Sequence, residues 1–366
     1  YGVVMRLRID AKHLLRSERR QEETMNKSMT VGIDLAKAIF FVVVLDPSGK
    51  QVHRKKLRRQ QVLAFLANYP QAVVAMEACS GSHYWAREIE AAGHQVKLLP
   101  PQHIKAYLRR QKNDYNDAEA IAEAAQYGRV RAVAVKTVEQ QLDQSLQRMR
   151  QALLADQIGL INRTRALLAE HGIVMPEGKA NFRKTVVALL EDPENGLPWR
   201  LRELVNRQYQ QYCIWEQELE WYTQQIEIRA NQDEVCQNLM SIPGYGEIVS
   251  SAFRCWIGDG HQFKNGRDAS AAMGLVPKQY STGGKIILGR ISKCGDKRMR
   301  ALLVHGARAF ARVASKRNDR LSRWVCNLIE RRGYNKAVIA LANKLVRIGW
   351  AVVTRCEPYR AINISQ

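Results

Sequence analysis

A chain of 366 residues that is 46% hydrophobic can bury a sizeable core, which excludes an intrinsically disordered protein, and its formal charge of +22 calls for a polyanion as partner. The seven cysteines, at 79, 213, 236, 255, 294, 326 and 356, are odd in number and form no C-x-x-C pair, which argues against a disulfide framework or zinc site and fits a reducing cytoplasm. Apolar runs such as 40–45 and 338–341 fall far short of a membrane span, and no amphipathic anchor or lipidation signal is evident, so no membrane partner is expected.

Residues 1–24 are mixed basic and polar without the apolar stretch of a signal peptide; they read as a disordered N-terminal extension, with Met25 or Met29 the expected start of folded structure. From there the pattern is β. Residues 30–34, 38–45 and 51–57 form a meander, with the turn Asp46-Pro47-Ser48-Gly49 between the second and third strands. Helical periodicity follows at 62–66, then a buried strand at 72–76 that delivers Glu77 at its end. A helix over 83–92, a short strand over 96–99 and a helix over 101–107 complete an α/β unit assigned to residues 25–130.

Acids fall at the ends of these elements. Asp34 closes the first strand, Glu77 the fourth, and Asp114 and Asp117 open a helix over 118–125, where carboxylates three apart share one face. Converging hard oxygen ligands are what magnesium needs. Taken singly, Asp34 could start a turn, Glu77 could be a surface acid and Asp114 an N-cap. Four acids at the ends of one sheet in a strongly basic chain favour a metal site.

Residues 131–235 are helical, with Leu142, Leu146, Met149 and Leu153 spaced 4, 3, 4 and Tyr212, Trp215, Leu219, Tyr222 and Ile226 spaced 3, 4, 3, 4. These two heptad-like helices flank a loop-rich insert over 172–198 and read as a helical hairpin or a dimerising coiled coil. Next, Ser241-Ile242-Pro243-Gly244-Tyr245-Gly246 is either a tight helix connection or a helix-hairpin-helix element, in which the backbone at Gly244 and Gly246 and the next helix N-terminus hold a phosphate.

The stretch Pro277-Lys278-Gln279-Tyr280-Ser281-Thr282-Gly283-Gly284-Lys285, continued by Leu288-Gly289-Arg290-Ile291-Ser292-Lys293, places two hydroxyls on a glycine hinge among four cations. It is no Walker loop, since Gln279 and Ile286 occupy the positions of the first glycine and the hydroxyl residue. It could also be a polar turn between helices. Lys278, Thr282, Gly283, Gly284, Lys285, Arg290 and Lys293 are the candidate phosphate contacts. Between residues 278 and 360 there are 20 Lys and Arg against four acids, and 335–350 reads as a basic amphipathic helix that packs Val338, Leu341, Leu345 and Ile348 inward.

The ordered set Gly32-Ile33-Asp34, Met76-Glu77-Ala78-Cys79-Ser80-Gly81-Ser82 and Lys112-Asn113-Asp114-Tyr115-Asn116-Asp117-Ala118, together with Ala271-Ala272-Met273-Gly274-Leu275-Val276-Pro277, resembles the DEDD-type transposases of the insertion-sequence-110 family, in particular its insertion-sequence-1111 branch. The resemblance runs from about Met29 to Val353 and is weakest in the middle. It implies an α/β plus α fold: a RuvC-like, ribonuclease-H-fold domain, a central coiled coil over 131–235 and a mainly α-helical C-terminal transposase domain over 236–366. It further implies Asp34, Glu77, Asp114 and Asp117 as Mg2+ ligands and a C-terminal serine that forms a 5′-phosphoserine link. The implied partners are donor and target DNA, a noncoding guide RNA and further copies of the chain, as a dimer or tetramer, in the bacterial cytoplasm. Strict register places the nucleophile on Thr282; Ser281 is preferred because a primary hydroxyl reaches a crowded phosphorus more easily than a β-branched one. The rival readings are a RuvC-like Holliday-junction endonuclease, which uses the acids and metal-activated water alone, and a non-catalytic nucleic-acid scaffold.

Overall fold

The structure is a computed structural model that describes residues 28–108, 113–127 and 130–363, so the extension 1–24, Met25 and Lys112 lie outside the described residues. The chain forms two compact units, Tyr1–Thr137 and Val138–Gln366.

In the first unit β1 (Thr30–Asp34), β2 (Ile39–Leu45) and β3 (Gln51–Arg58) form the meander, α1 (Val62–Leu66) leads to β4 (Val73–Glu77), and α2 (Ser82–Ala91) to β5 (Gln95–Leu99). The short α3 (Pro101–Ile104) precedes α4 (Asp114–Gln126). The sheet order is β3-β2-β1-β4-β5, with β1 antiparallel to β2 and parallel to β4. Strand β2 is apolar throughout, and β1 is so in its Val31 and Ile33 positions, because both faces of the sheet are covered. Val31, Ile33, Phe40, Val42 and Val44 pack with Trp85 and Ile89 of α2 on one face, while Val43 and Leu45 meet Ala118 and Ala122 of α4 on the other.

Helix α4 lies close on the sheet because both partners are small. Its buried face is mostly alanine, Ala118, Ala120, Ala122, Ala124 and Ala125, and a Cβ at Gly32 would overlap the Ala118 carbonyl oxygen and stand 2.8 Å from Ala122 Cβ. Asn113 is the N-cap, accepting from the Tyr115 N–H at 3.0 Å, so Asp114 is not the cap but the first helical residue.

The second unit is mainly helical. Helices α5 (Val138–Ala169) and α7 (Trp199–Gln232) run antiparallel, as Arg150 Nε donating to Thr223 Oγ1 at 2.8 Å and the Asp143–Arg229 ion pair require. Two expectations are corrected here. The insert is not loop-rich throughout, because α6 (Lys179–Glu191) buries Phe182 and Val186 with Leu160, Leu168 and Tyr212. The expected α5 stripe is not the buried one: Leu142 and Met149 are exposed, and Leu160, Ile161 and Leu168 carry the packing, because α6 covers that end of the pair. On α7, Tyr212, Leu219 and Ile226 are buried at the expected spacing.

After α8 (Glu234–Met240) and α9 (Glu247–Ile257) come α10 (Gly266–Ala272), the hairpin of β6 (Pro277–Gln279) and β7 (Leu288–Ile291), α11 (Lys297–Val313), α12 (Arg320–Arg332) and α13 (Tyr334–Arg355). Helix α13 is the core helix, burying Val338, Leu341, Leu345, Val346 and Val353. By length and composition it would suffice to cross a membrane, unlike the short apolar run read within it, yet half of its most apolar window is buried inside the unit.

Candidate active site

Alternation along the strands decides which acids share a side of the sheet. Gly32 faces α4, so Asp34, two residues on, does too; Ala75 packs with Ala120 and Ile121 of α4, so Glu77 follows it on the same side. The close seating of α4 then brings its first turn to the end of β1. Carboxylate oxygens of Asp34, Asp114 and Asp117 lie within 4.8 Å of one another. Glu77 stands outside that group but in the row beside Asp34, since Ile33 pairs with Met76 across the β1–β4 ladder. Burial pushes the Cys79 thiol up, and the charges of Glu77 and Asp34 push it further, so both carboxylates act on one neighbourhood. Three acids on rigid supports give a hard divalent cation the oxygen ligands it prefers, and this donor set fits one.

In the second unit Ser281 sits near the tip of the β6–β7 hairpin. The Thr282 N–H donates to the Lys285 carbonyl at 3.3 Å and the Lys285 N–H donates back at 3.0 Å, closing a two-residue turn. Its central residues, Gly283 and Gly284, have φ of +54° and +77°, the doubly left-handed turn that matches strand twist and that side-chain-bearing residues resist. Ser281 Oγ accepts from Gln279 Nε2 at 2.8 Å and from the Ile287 N–H at 3.3 Å. Two donors on one hydroxyl oxygen favour the form that is losing its proton. Lys278, Lys285, Arg290 and Lys293 are exposed around this hairpin, as are Tyr280, Ile286, Ile287 and Leu288.

Two family profiles match the chain. The profile described as "Transposase IS116/IS110/IS902 family" covers residues 236–322, and a DEDD-type "Transposase" profile of the same kind covers 31–173. The chain is 38% identical over 359 residues to the "Transposase for insertion sequence element IS1111A" of Coxiella burnetii, spanning 98% of this chain and 97% of that one. The chain belongs to the IS110 transposase family. A "Probable family 20 transposase" of Pseudomonas aeruginosa is 40% identical to this transposase over 331 residues, 90% of this chain and 98% of that one. The "Transposase for insertion sequence element IS1328" of Yersinia enterocolitica is 39% identical over 325 residues, 89% and 96%. Among solved structures, Thermus thermophilus RuvC in complex with a Holliday junction substrate matches at 17% identity and a TM-score of 0.23, covering 29% of this chain and 99% of that one. The transposase is thus an enzyme of DNA cleavage and rejoining with a DEDD-type domain, which points to divalent-metal use.

The helix connection carries two distinct glycines. Gly244, at φ +90°, packs its backbone on α11: a Cβ there would lie 2.6 Å from the Gly306 carbonyl oxygen. Gly246 has open space at its Cβ position and is the N-cap of α9, so its neighbourhood is the accessible one. Gly32 and Gln279 escaped the sequence reading as site residues. The signals were present, a glycine two residues before a strand-end acid and a glutamine two residues before the serine on one strand.

Proposed function

We propose that the transposase cuts and rejoins insertion-sequence DNA with Ser281 as nucleophile, Mg2+ held by Asp34, Asp114 and Asp117 with Glu77 beside them, and a noncoding RNA as guide. The observation that carries the serine reading is the pair of donors on Ser281 Oγ in a hairpin edged by cations. In this reading Oγ attacks phosphorus and loses its proton to solvent, the bond from phosphorus to the 3′ oxygen breaks, and that oxygen leaves as a 3′ hydroxyl, with the 5′ phosphate on serine. Gln279 and the Ile287 N–H hold the attacking oxygen, and Lys278, Lys285, Arg290 and Lys293 neutralise phosphate charge. Thr282 positions the loop. Magnesium, when bound, supplies Lewis-acid stabilisation of phosphoryl oxygens.

The sheet order of the first unit and its acids at strand ends support a RuvC-like ribonuclease-H fold for that unit. A homo-oligomer is supported by Ile214, Trp221 and Ile228, exposed on α7 at seven-residue spacing, and by Leu142 and Met149 on α5. Guidance by RNA fits a chain of +22 charge, since pairing by a guide leaves the protein only the backbone phosphates to hold. The deciding experiment is a denaturing gel of protein–DNA adducts. Ser281→Ala is expected to abolish the adduct and retain binding, Thr282→Ser to be tolerated and Thr282→Ala to weaken the reaction. An adduct that persists in Ser281→Ala and disappears in Thr282→Ala would move the role to Thr282; free ends without adduct in the parent protein would favour the metal-only endonuclease.

A further inference from the structure

The edge strand β3 and its end carry Arg54, Lys55, Lys56, Arg58 and Arg59 in six residues. Charges on an edge strand discourage edge-to-edge association, and that alone would explain cations scattered on both faces. Their registers divide them. Lys56 pairs with Phe41, which pairs with Asp34, so Asp34, Phe41 and Lys56 form one row across β1, β2 and β3 on the face that α4 covers. Arg54 lies on the same face, opposite Val43, with its guanidinium 3.9 Å above the Tyr115 ring, and Tyr115 follows Asp114. Phe41 and Tyr115 meet edge to face at 4.8 Å, and Lys56 Nζ stands 5.9 Å from the Phe41 ring centre. Lys55 points to the opposite face, 5.6 Å from the Phe65 ring.

Arg54 and Lys56 are exposed and neither is in an ion pair among the described residues. The Arg54 guanidinium and the Lys56 ammonium lie over aromatic rings that also flank the acid cluster, which holds two cations beside it while both side chains stay open to solvent. Two strand spacings of about 4.8 Å separate the Lys56 row position from Asp34, roughly 10 Å, or about three nucleotides at a rise of about 3.4 Å. Acids repel a DNA backbone, so a strand reaching them needs neutralisation within a few nucleotides.

We infer that Arg54 and Lys56 on the α4 side of β3, seated on Tyr115 and Phe41, form a phosphate-binding subsite for the DNA strand that enters the Asp34–Asp114–Asp117 cluster. This rests on the reading of that cluster as acting on DNA. DNA is the ligand named because cleavage and rejoining of DNA is the activity of the family to which the chain belongs.

The test uses the full chain in calcium, with a synthetic DNA duplex and an RNA duplex of the same sequence as probes, read by fluorescence anisotropy across a salt series. Arg54→Gln with Lys56→Gln should weaken DNA binding about tenfold or more and flatten the slope of log affinity against log salt by about two. The charge-matched pair Lys50→Gln with Lys55→Gln, one in the turn before β3 and one on the other face, should stay within about twofold of the parent. A photoreactive side chain at position 56 should cross-link to DNA, and circular dichroism checks that all variants fold. Equal losses in both pairs would mean that net charge alone matters and would overturn the subsite, as would a loss confined to the RNA probe. If the contact holds and no serine adduct forms, the serine reading fails and the subsite stands; an intact adduct with equal losses does the reverse.

Discussion

Asp34 ends a strand whose Val31 and Ile33 are fully buried, whereas Ser281 stands in a hairpin in which every residue from 277 to 290 is exposed. The acid cluster takes its geometry from the core: each aliphatic side chain buried beneath it contributes about 1.5–3 kcal/mol, so displacing a carboxylate means disturbing the sheet. The hairpin takes its geometry from one glycine turn and two hydrogen bonds on the serine, each bond worth about 1 kcal/mol net. A metal site needs fixed ligands before the ion arrives, while a nucleophile that works on nucleic acid can be fixed by the nucleic acid itself. Site and support can therefore be broken separately.

The largest expected effect is on chemistry without stability. Asp34→Asn keeps shape and removes a charged ligand, so strand cleavage should fall by about two orders of magnitude or more while the thermal unfolding midpoint stays put. Glu77→Gln should cost less, because Glu77 lies outside the group of three; a larger loss for Glu77→Gln would place it at the centre of the site. Gly32→Ala should affect both properties. The added methyl overlaps the Ala118 carbonyl, so α4 must lift from β1 at a cost of about 3 kcal/mol, seen as a lower melting temperature and as lost stabilisation by added magnesium.

On the hairpin the order reverses. Replacing Gly283 and Gly284 together with alanine strains two left-handed positions by about 1–2 kcal/mol each, and adduct formation should slow about tenfold or more with no change in the melting temperature, since the turn touches no core residue. A drop in melting temperature would show that the hairpin is integral to its unit. The smallest effect concerns an acid unrelated to either element. Asp319 is the N-cap of α12, and although burial alone would raise its carboxyl, hydrogen bonds from the Ser322 N–H and hydroxyl and from Arg317 hold it below the usual carboxylate range. A depressed folded value means stability that is present above the unfolded value and lost as pH falls through the folded one. Asp319→Ala should lower stability by about 1 kcal/mol at neutral pH, with the difference shrinking toward pH 3 in denaturant titrations and adduct formation unaffected.

Much of the first unit was legible because its signals are local. Alternation and β-branched runs mark the strands, and the acids fall where those runs stop. The helix over 179–191 was hidden by its flanks: Pro176, Gly178 and Pro193 look like a loop, while Phe182 and Val186 become an apolar stripe only when α5 and α7 are there to cover them. Leu142 and Met149 failed in the opposite way, since heptad spacing states that a stripe exists and not what it faces.

The sequence by itself determined the positions at which acids end strands and begin a helix, and the turn at Gly283-Gly284, because dihedral preference and side-chain period are properties of neighbouring residues. Only the tertiary structure decided that Asp114 and Asp117 meet Asp34, some eighty residues away, and that Lys56 shares a row with Asp34. Those distances depend on strand order, on register and on the absence of a methyl group at Gly32. A helix settles where the sum of all such contacts is lowest, and no window along the chain contains that sum.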